Sequence, residues 1–153
     1  MTRALEVDSH DTATSQTSSA RTDEGPTDDI FSFRELARLD EALTMSSRET
    51  GLHFTLYVGE LDMPTRRTAE ALHARSSHHP TDSVLIAVSP GQRVVEVVTG
   101  AGAARRLPDR ACALAVLSMT SSFASGDLVG GIVNGLRQMS DQAGHPAALR
   151  AHH

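Results

Sequence analysis

The sequence lacks lysine, tryptophan and a second cysteine, and these absences exclude several kinds of chemistry. All 14 basic residues are arginine, which removes mechanisms that need a Schiff-base or P-loop lysine. A single cysteine, Cys112, excludes an internal disulfide and a cysteine-based zinc cluster. No apolar run approaches the roughly 18 residues of a membrane span, and the start lacks the features of a secretion signal. We therefore predict a cytoplasmic protein with no membrane span.

Charge and aromatic content argue against nucleic acid as a partner. The formal net charge is −5 and aromatic residues make up 3% of the chain. Nucleic-acid-binding domains are usually basic, and single-stranded nucleic acids need aromatic surfaces on which bases stack. We expect the partner to be a protein or a small ligand.

The length predicts one domain with polar ends. A chain of 153 residues suits a single domain, since domains commonly have about 100–150 residues. Residues 1–28 are rich in Ser, Thr and Asp with few large apolar side chains, which predicts a disordered N-terminal tail. We place the domain at residues 29–142 and a flexible C-terminal tail at 143–153.

Two apolar runs organise the chain. Val84–Val88 and Val94–Val98 flank the sequence Ser-Pro-Gly-Gln, which predicts a central hairpin with a loop of about four residues. Leu52–Val58 alternates apolar and polar residues, as expected of a half-buried strand. The helix predicted between residues 62 and 76 would connect this strand to the hairpin by a right-handed parallel crossover.

Three further helices are predicted. Ser32 and Glu35 form a capping-box pattern at the start of the first helix, and Gly51 is a suitable residue just after its end. The spacing of apolar residues predicts that Phe33, Leu36, Leu39 and Leu43 face the core from this helix, and that Ala113, Val116 and Leu117 do so from a helix at 109–120. The last helix, which starts near Ser125, has Gly130, Gly131 and Gly135 in its interior, and we interpret them as positions of close packing on the sheet.

The order of these elements predicts the fold class. It is α-β-α-β-β-α-α, which indicates an α/β fold: a three-layer α/β/α sandwich with a small mixed sheet, a central hairpin and helices on both faces.

The ordered motifs around the hairpin resemble the TPM-domain family of thylakoid-lumen-phosphatase-like proteins. An acidic residue, Asp82, precedes the first apolar strand, and Arg93 opens the second, which ends in Gly100-Ala101-Gly102. Phe123 is then followed by Gly126-Asp127 and a glycine-bearing helix. The chain most resembles a soluble branch of that family from GC-rich Gram-positive bacteria, and its arginine-only basic residues and many Ala and Gly are typical of a GC-rich genome. The resemblance covers roughly residues 29–140.

The resemblance implies an α/β/α sandwich, and acid phosphatase activity and calcium binding in some members. This chain departs from the family pattern at its turn, where Ser-Pro-Gly-Gln replaces the usual acidic residues. The departure weakens the transfer of a cation site. We therefore interpret the chain as a non-enzymatic binding or accessory module without a resident cofactor. The alternatives are a calcium- or magnesium-assisted phosphate-ester hydrolase, and a protein-interaction module that uses the glycine-rich last helix.

Two groups of residues are candidate binding sites, one at each end of the sheet. The carboxyl ends of the predicted parallel strands form the edge where open α/β sheets place ligands, and the residues expected there, for an ion or phosphate, are Asp29, Glu60, Asp62 and Arg93. The opposite edge forms a candidate anion-binding loop with Asp82, Gly100, Gly102 and Arg105. Each group also has an ordinary structural interpretation, which we favour: acids that cap helices, and glycines whose backbone angles a tight turn requires.

The remaining reactive side chains have structural interpretations. His73, His78 and His79 lie within seven residues, but their spacing fits no helical ligand pair, so we expect a solvated loop. Cys112 lies among apolar residues, which predicts a buried thiol. No residue is predicted to be catalytic and none to bind a metal.

Overall fold

The computed structural model describes residues 4–8, 30–75 and 79–146. The elements in chain order are β1 (Ala4–Asp8), α1 (Phe33–Thr50), β2 (His53–Gly59), α2 (Thr65–Arg75), β3 (Ser83–Ser89), β4 (Val94–Thr99), α3 (Ala101–Ala104), α4 (Asp109–Ala124) and α5 (Leu128–Ala143). A 3-10 turn, Pro80–Asp82, directly precedes β3.

The strands form one mixed sheet in the order β1-β2-β3-β4. β2 and β3 are parallel, whereas β1 with β2 and β3 with β4 are antiparallel. One face of the sheet packs against α1, α4 and α5, and the other packs against α2 through Ala69 and Leu72. The predicted α/β sandwich with helices on both faces is therefore confirmed.

The central strands are covered on both faces. All seven residues of β3 are buried, as its continuous apolar run predicts. Ser89 pairs with Val94, which leaves the predicted four-residue loop. The prediction that β2 is half-buried is wrong, because Thr55 and Tyr57 on its second face are also buried, and Tyr57 packs with the α2 core.

β1 corrects the N-terminal boundary. Ala4–Asp8 pairs with β2 over five residues, so the prediction of a disordered tail over 1–28 is wrong for this segment. The alternation of Leu5 and Val7 with polar neighbours is a strand signal, although the segment is too short to stand out in a polar region. Residues 9–29 lie outside the described residues.

The ends of α1 follow their local signals. Ser32 Oγ accepts a hydrogen bond from Glu35 N, and Glu35 Oε1 accepts one from Ser32 N. This confirms the capping box. Gly51 ends the helix in the left-handed region at φ 79°. The inward stripe is confirmed at Leu39 and Leu43, but Phe33, in the first turn, is 83% exposed.

α4 turns a different face inward from the one that its spacing predicts. Cys112, Ala115 and Met119 are buried, whereas Leu114 and Leu117 are 58% and 66% exposed. Both faces of this helix are apolar, so the period of 3.6 residues alone does not determine which one faces the core.

The glycines of α5 allow close packing on α4 rather than on the sheet. A Cβ atom at Gly135 would lie 2.7 Å from Met119 Cγ, and one at Gly131 would lie 2.8 Å from Phe123 Cε1. Both glycines are buried. The glycines therefore serve the packing of α4 on α5, and the alternative of an interaction module that uses this helix stays a prediction for its exposed face.

The outer edge of β4 is shielded by α2. The Arg66 guanidinium donates to the Val97 carbonyl at 2.7 Å and forms an ion pair with Glu96 at 3.4 Å. Thr65 Oγ1 donates to the same Glu96 carboxylate at 2.8 Å. Backbone groups on an edge strand otherwise invite pairing with another chain.

Arg106 holds the C-terminal end of α5. Its guanidinium donates to the carbonyls of Ala143, Gly144 and His145 at 2.8–3.3 Å. The predicted flexible tail therefore begins about four residues too early, since Ala143–Pro146 belong to the described fold. Residues 147–153 lie outside the described residues.

Candidate functional site

A cleft of about 450 Å³ opens between the β3–β4 turn and the junction of α4 with α5. Its volume is within the range of about 300–1,000 Å³ that small-molecule sites occupy. The turn side contributes Pro90 and Arg93. The helix side contributes Thr120, Phe123, Ala124, Gly126 and Leu128. The cleft therefore has a largely apolar wall opposite one arginine.

Arg93 is positioned by an unusual backbone conformation. Its φ is 59°, and among the described residues it is the only non-glycine residue with a positive φ. Its amide donates to the Pro90 carbonyl at 3.2 Å, which closes the turn. The left-handed conformation costs a residue with a side chain about 1–2 kcal/mol. The Arg93 guanidinium is exposed and makes no hydrogen bond or ion pair with any described residue.

Gln92 fixes the turn to the loop that follows β2. Its Oε1 accepts from Leu61 N at 2.8 Å and from Ser89 Oγ at 2.5 Å. Its Nε2 donates to the Leu61 carbonyl at 2.9 Å. Because the amide bonds both backbone groups of Leu61, the turn that carries Arg93 is fixed in place before any ligand arrives.

The first predicted group of site residues is only partly brought together. Arg93 lines the cleft, but Glu60 and Asp62 do not, although Gln92 ties their loop to the same turn. Both carboxylates are exposed. The backbone carbonyls of these two residues accept from Tyr57 and Thr68 hydroxyl groups, each at 2.7 Å. Asp29 lies outside the described residues.

The second predicted group does meet, through tight packing. A Cβ atom at Gly100 would overlap the Pro80 carbonyl oxygen, and one at Gly102 would lie 2.6 Å from Asp82 Oδ1. Gly100 is therefore required by the close approach of the 3-10 turn backbone, whereas at Gly102 the close atom belongs to the exposed Asp82 side chain, which can move aside. Neither glycine has a positive φ.

This second group offers little for an anion. The Gly102 amide already donates to Thr81 Oγ1 at 3.1 Å, and the helix that follows has only four residues. Arg105 is exposed at its end.

The histidines do not form a metal centre within the described chain. His73 is buried in α2, where Nε2 lies 3.1 Å from the Ser83 carbonyl. His79 is exposed, and His78 is outside the described residues. Among residues 30–75 and 79–146, no three His, Cys, Asp or Glu side chains are close enough to hold a metal ion.

Cys112 has the environment of a structural thiol. It is buried in α4, and Sγ lies 3.7 Å from the Leu107 carbonyl. Burial raises the pKa of the Cys112 thiol, the Asp109 carboxylate raises it further, and Arg66 acts in the opposite direction. A raised pKa lowers the thiolate fraction and hence the reactivity.

Of the residues that line the cleft, the sequence predicts only Arg93 as a site residue. The apolar wall of the cleft is not predicted. Phe123 enters the sequence analysis only through the family motif, and Pro90 only as part of the turn. The available signal was the combination of a Pro-Gly turn that ends in arginine with an uncharged helix end that carries an aromatic residue. Only the fold shows that these two segments are neighbours.

Comparison with known families identifies the chain at the level of its domain. Residues 8–140 match the family described as "Domain of unknown function (DUF5130)". The chain belongs to this family. The match covers every described element from α1 to α4 and all but the last turn of α5.

Two curated relatives come from strains of Mycobacterium tuberculosis. The uncharacterised protein Rv2468c of strain H37Rv and the uncharacterised protein MT2543 of strain CDC 1551 are each 36% identical over 110 residues. The matched region covers 72% of this chain and 65% of each relative, which is slightly less than two-thirds of their length.

Solved structures share the fold at low sequence identity. The N-terminal domain of a protein from P. gingivalis matches with a TM-score of 0.63 and 19% identity, over 73% of this chain and 75% of that one. The BA42 protein of Bizionia argentinensis matches with a TM-score of 0.57 and 16% identity, over 71% and 77% of the two chains. These likenesses support the fold alone.

The TPM-domain resemblance stays a prediction, since the family that the comparisons establish is the DUF5130 domain. Phosphatase activity and calcium binding, which that resemblance implied, have no support in the comparisons. Within the part of the chain that the structure describes, no helix is both long and apolar enough to cross a membrane.

Proposed function

We propose that this domain is a non-enzymatic binding module whose ligand occupies the cleft beside Arg93. The chemistry of the walls suggests the class of ligand: an apolar or aromatic group that packs against Phe123 and Leu128, joined to an anionic group beside the guanidinium. A carboxylate or phosphate at that position would receive charge-assisted hydrogen bonds.

The observation that carries the proposal is the state of Arg93. Residues held in sparsely populated backbone regions concentrate at binding and active sites. Glycine would fill this position without strain, and the arginine side chain makes no hydrogen bond or ion pair with a described residue. An exposed arginine that has no hydrogen-bond or ion-pair partner among the described residues, held in a strained conformation at a cleft, is therefore best explained by a bound anionic group.

The test is a titration of isotopically labelled protein with phenyl phosphate, followed by backbone amide chemical shifts. A ligand of this size that gains about 0.3 kcal/mol per non-hydrogen atom has a Kd on the order of 1 mM. We expect saturable shifts confined to residues around the cleft, including Gly91 and Gly126. Benzyl alcohol, which keeps the ring but lacks the charge, should bind much more weakly.

Variants separate the role of Arg93 from a general charge effect. Arg93→Gln should weaken phenyl phosphate binding by at least about tenfold, because a charged hydrogen bond contributes about 1.5–3 kcal/mol. Arg67→Gln removes the same charge from an exposed site on α2, across the sheet, and should leave binding unchanged. Equal effects of the two variants, or shifts scattered away from the cleft, would contradict the proposal.

The same samples test the hydrolase alternative. Phosphorus spectra recorded with calcium, magnesium or manganese would reveal release of inorganic phosphate from phenyl phosphate. If phosphate is released and Arg93→Gln abolishes the release, the domain is an enzyme rather than a binding module. Binding without turnover supports the module.

A further inference from the structure

The outer face of α4 is an unusual surface for a helix that faces solvent. Leu114 and Leu117 are 58% and 66% exposed, one turn apart. Ala113, Ser121 and Ala124 are exposed beside them. No charged residue occurs between Arg110 and Asp127. Arg110, seven residues before Leu117, lies on the same face in the first turn and is its one charge. Single exposed leucines are normal on protein surfaces, but a face with two of them and three turns without a charge is typical of a contact surface.

We infer that this face binds the same face of a second copy of the chain, with the two α4 helices packed antiparallel. Charge complementarity favours this occupant. Asp109 and Thr120 are eleven residues apart, which at about 100° per residue places them within about 20° of each other around α4. Thr120 lines the cleft together with Arg93, so Asp109 and the cleft lie on the same side of α4, at opposite ends.

An antiparallel pair brings those opposite ends together. With a twofold axis between Leu114 and Leu117, the first turn of one α4 lies beside the last turn of the other. Asp109 of each copy then approaches Arg93 of its partner, and twofold symmetry makes this ion pair twice. A parallel arrangement would instead keep each Asp109 at the opposite end of the helix pair from Arg93 of the partner copy. Antiparallel helices also align their dipoles favourably.

The contact area indicates a weak dimer. Two facing helices of this length bury less than the roughly 1,200 Å² that stable interfaces require, so we expect a Kd on the order of 100 µM. The inference does not rest on the proposed function, because it needs no ligand in the cleft. Arg93 is common to both, and the leucines belong to the dimer alone.

The experiment is sedimentation velocity without ligand, from about 5 to 500 µM protein, a range that brackets the expected Kd. Wild-type protein should shift from monomer to dimer across this range. Leu117→Gln should weaken association at least tenfold. Met45→Gln is the matched control, since Met45 is a similarly exposed apolar residue, on α1, and should leave association unchanged. Thermal melting curves establish that each variant is folded.

Charge exchange tests the antiparallel arrangement. Arg93→Asp and Asp109→Arg should each weaken the dimer, and the double variant should recover an affinity within about threefold of wild type, because additivity fails for residues in contact. If Asp109→Arg does not fold, Asp109→Asn is used instead and should also weaken the dimer. A monomer at every concentration, or a dimer that Leu117→Gln does not affect, would overturn the inference. Failure of the double variant to recover would overturn the antiparallel pairing.

Discussion

α1 and α4 pack on the same face of the sheet but have opposite outer surfaces. α1 exposes Arg34, Arg38, Glu41, Arg48 and Glu49. α4 has no charge after Arg110 and exposes leucine instead. Each helix also buries one face: Leu39 and Leu43 in α1, and Cys112, Ala115 and Met119 in α4. α1 is therefore an ordinary amphipathic helix with a charged outer face. α4 has two apolar faces, and the fold buries only one of them.

The largest expected effect tests which side of α4 is the inner one. Met119→Ala should lower the free energy of unfolding by about 3 kcal/mol, since Met119 is fully buried against Gly135 and large-to-small core changes cost about 2–5 kcal/mol. Leu117→Ala should change it by less than about 0.5 kcal/mol, as is usual for surface substitutions. Urea denaturation measures both. If Met119→Ala and Leu117→Ala lowered the free energy of unfolding equally, Leu117 would also face the core, and the contrast with α1 would disappear.

A smaller effect should appear at high pH through the buried side of α4. Because burial raises the pKa of the Cys112 thiol, the unfolded chain loses this proton first, at a pKa of about 8.5. The contribution to stability is complete below that pH and is lost as pH rises towards the folded pKa, by at most about 1.4 kcal/mol per pH unit.

Cys112→Ala supplies the reference for this pH dependence. From pH 8 to pH 9.5, the unfolding free energy of the wild-type protein should fall relative to that of Cys112→Ala. Urea denaturation at each pH measures both. A constant difference would show that the thiol ionises equally in both states, as it would on an exposed face.

The smallest effect contrasts how the two helices begin. α1 starts with a capping box at Ser32, whereas α4 starts at Pro108 without a side-chain cap. Ser32→Ala should cost about 1 kcal/mol. Arg34→Ala, two residues later on the exposed surface, is the control and should cost almost nothing. If both changes were neutral, the first turn of α1 would owe its stability to packing rather than to its cap.

Features with a local cause were readable from the sequence. The capping box of Ser32 and Glu35, the left-handed Gly51 and the β3–β4 hairpin each depend on residues close along the chain. The order of elements then determined the sandwich. The inner face of α4 was not readable, because the choice between two apolar sides depends on α5 and its glycines, which meet α4 only in the folded chain.

The candidate site was readable only at Arg93. The strained conformation of this residue results from the turn hydrogen bond to Pro90 and from the attachment of Gln92 to Leu61, 31 residues earlier. No local pattern encodes that contact. The acids at positions 60 and 62 were grouped with Arg93 by topology alone, and the actual walls of the cleft come from a helix end far along the chain.

The shielding of β4 by Arg66 limits how assemblies of this protein could grow. A strand arriving at this edge would have to displace the guanidinium from the Val97 carbonyl and break its pairing with Glu96. Open-ended addition through β4, the route to fibres, is therefore disfavoured. Association through a self-complementary helix face has a different outcome. Twofold pairing buries the same face of both copies and leaves none for a third, so assembly stops at a dimer.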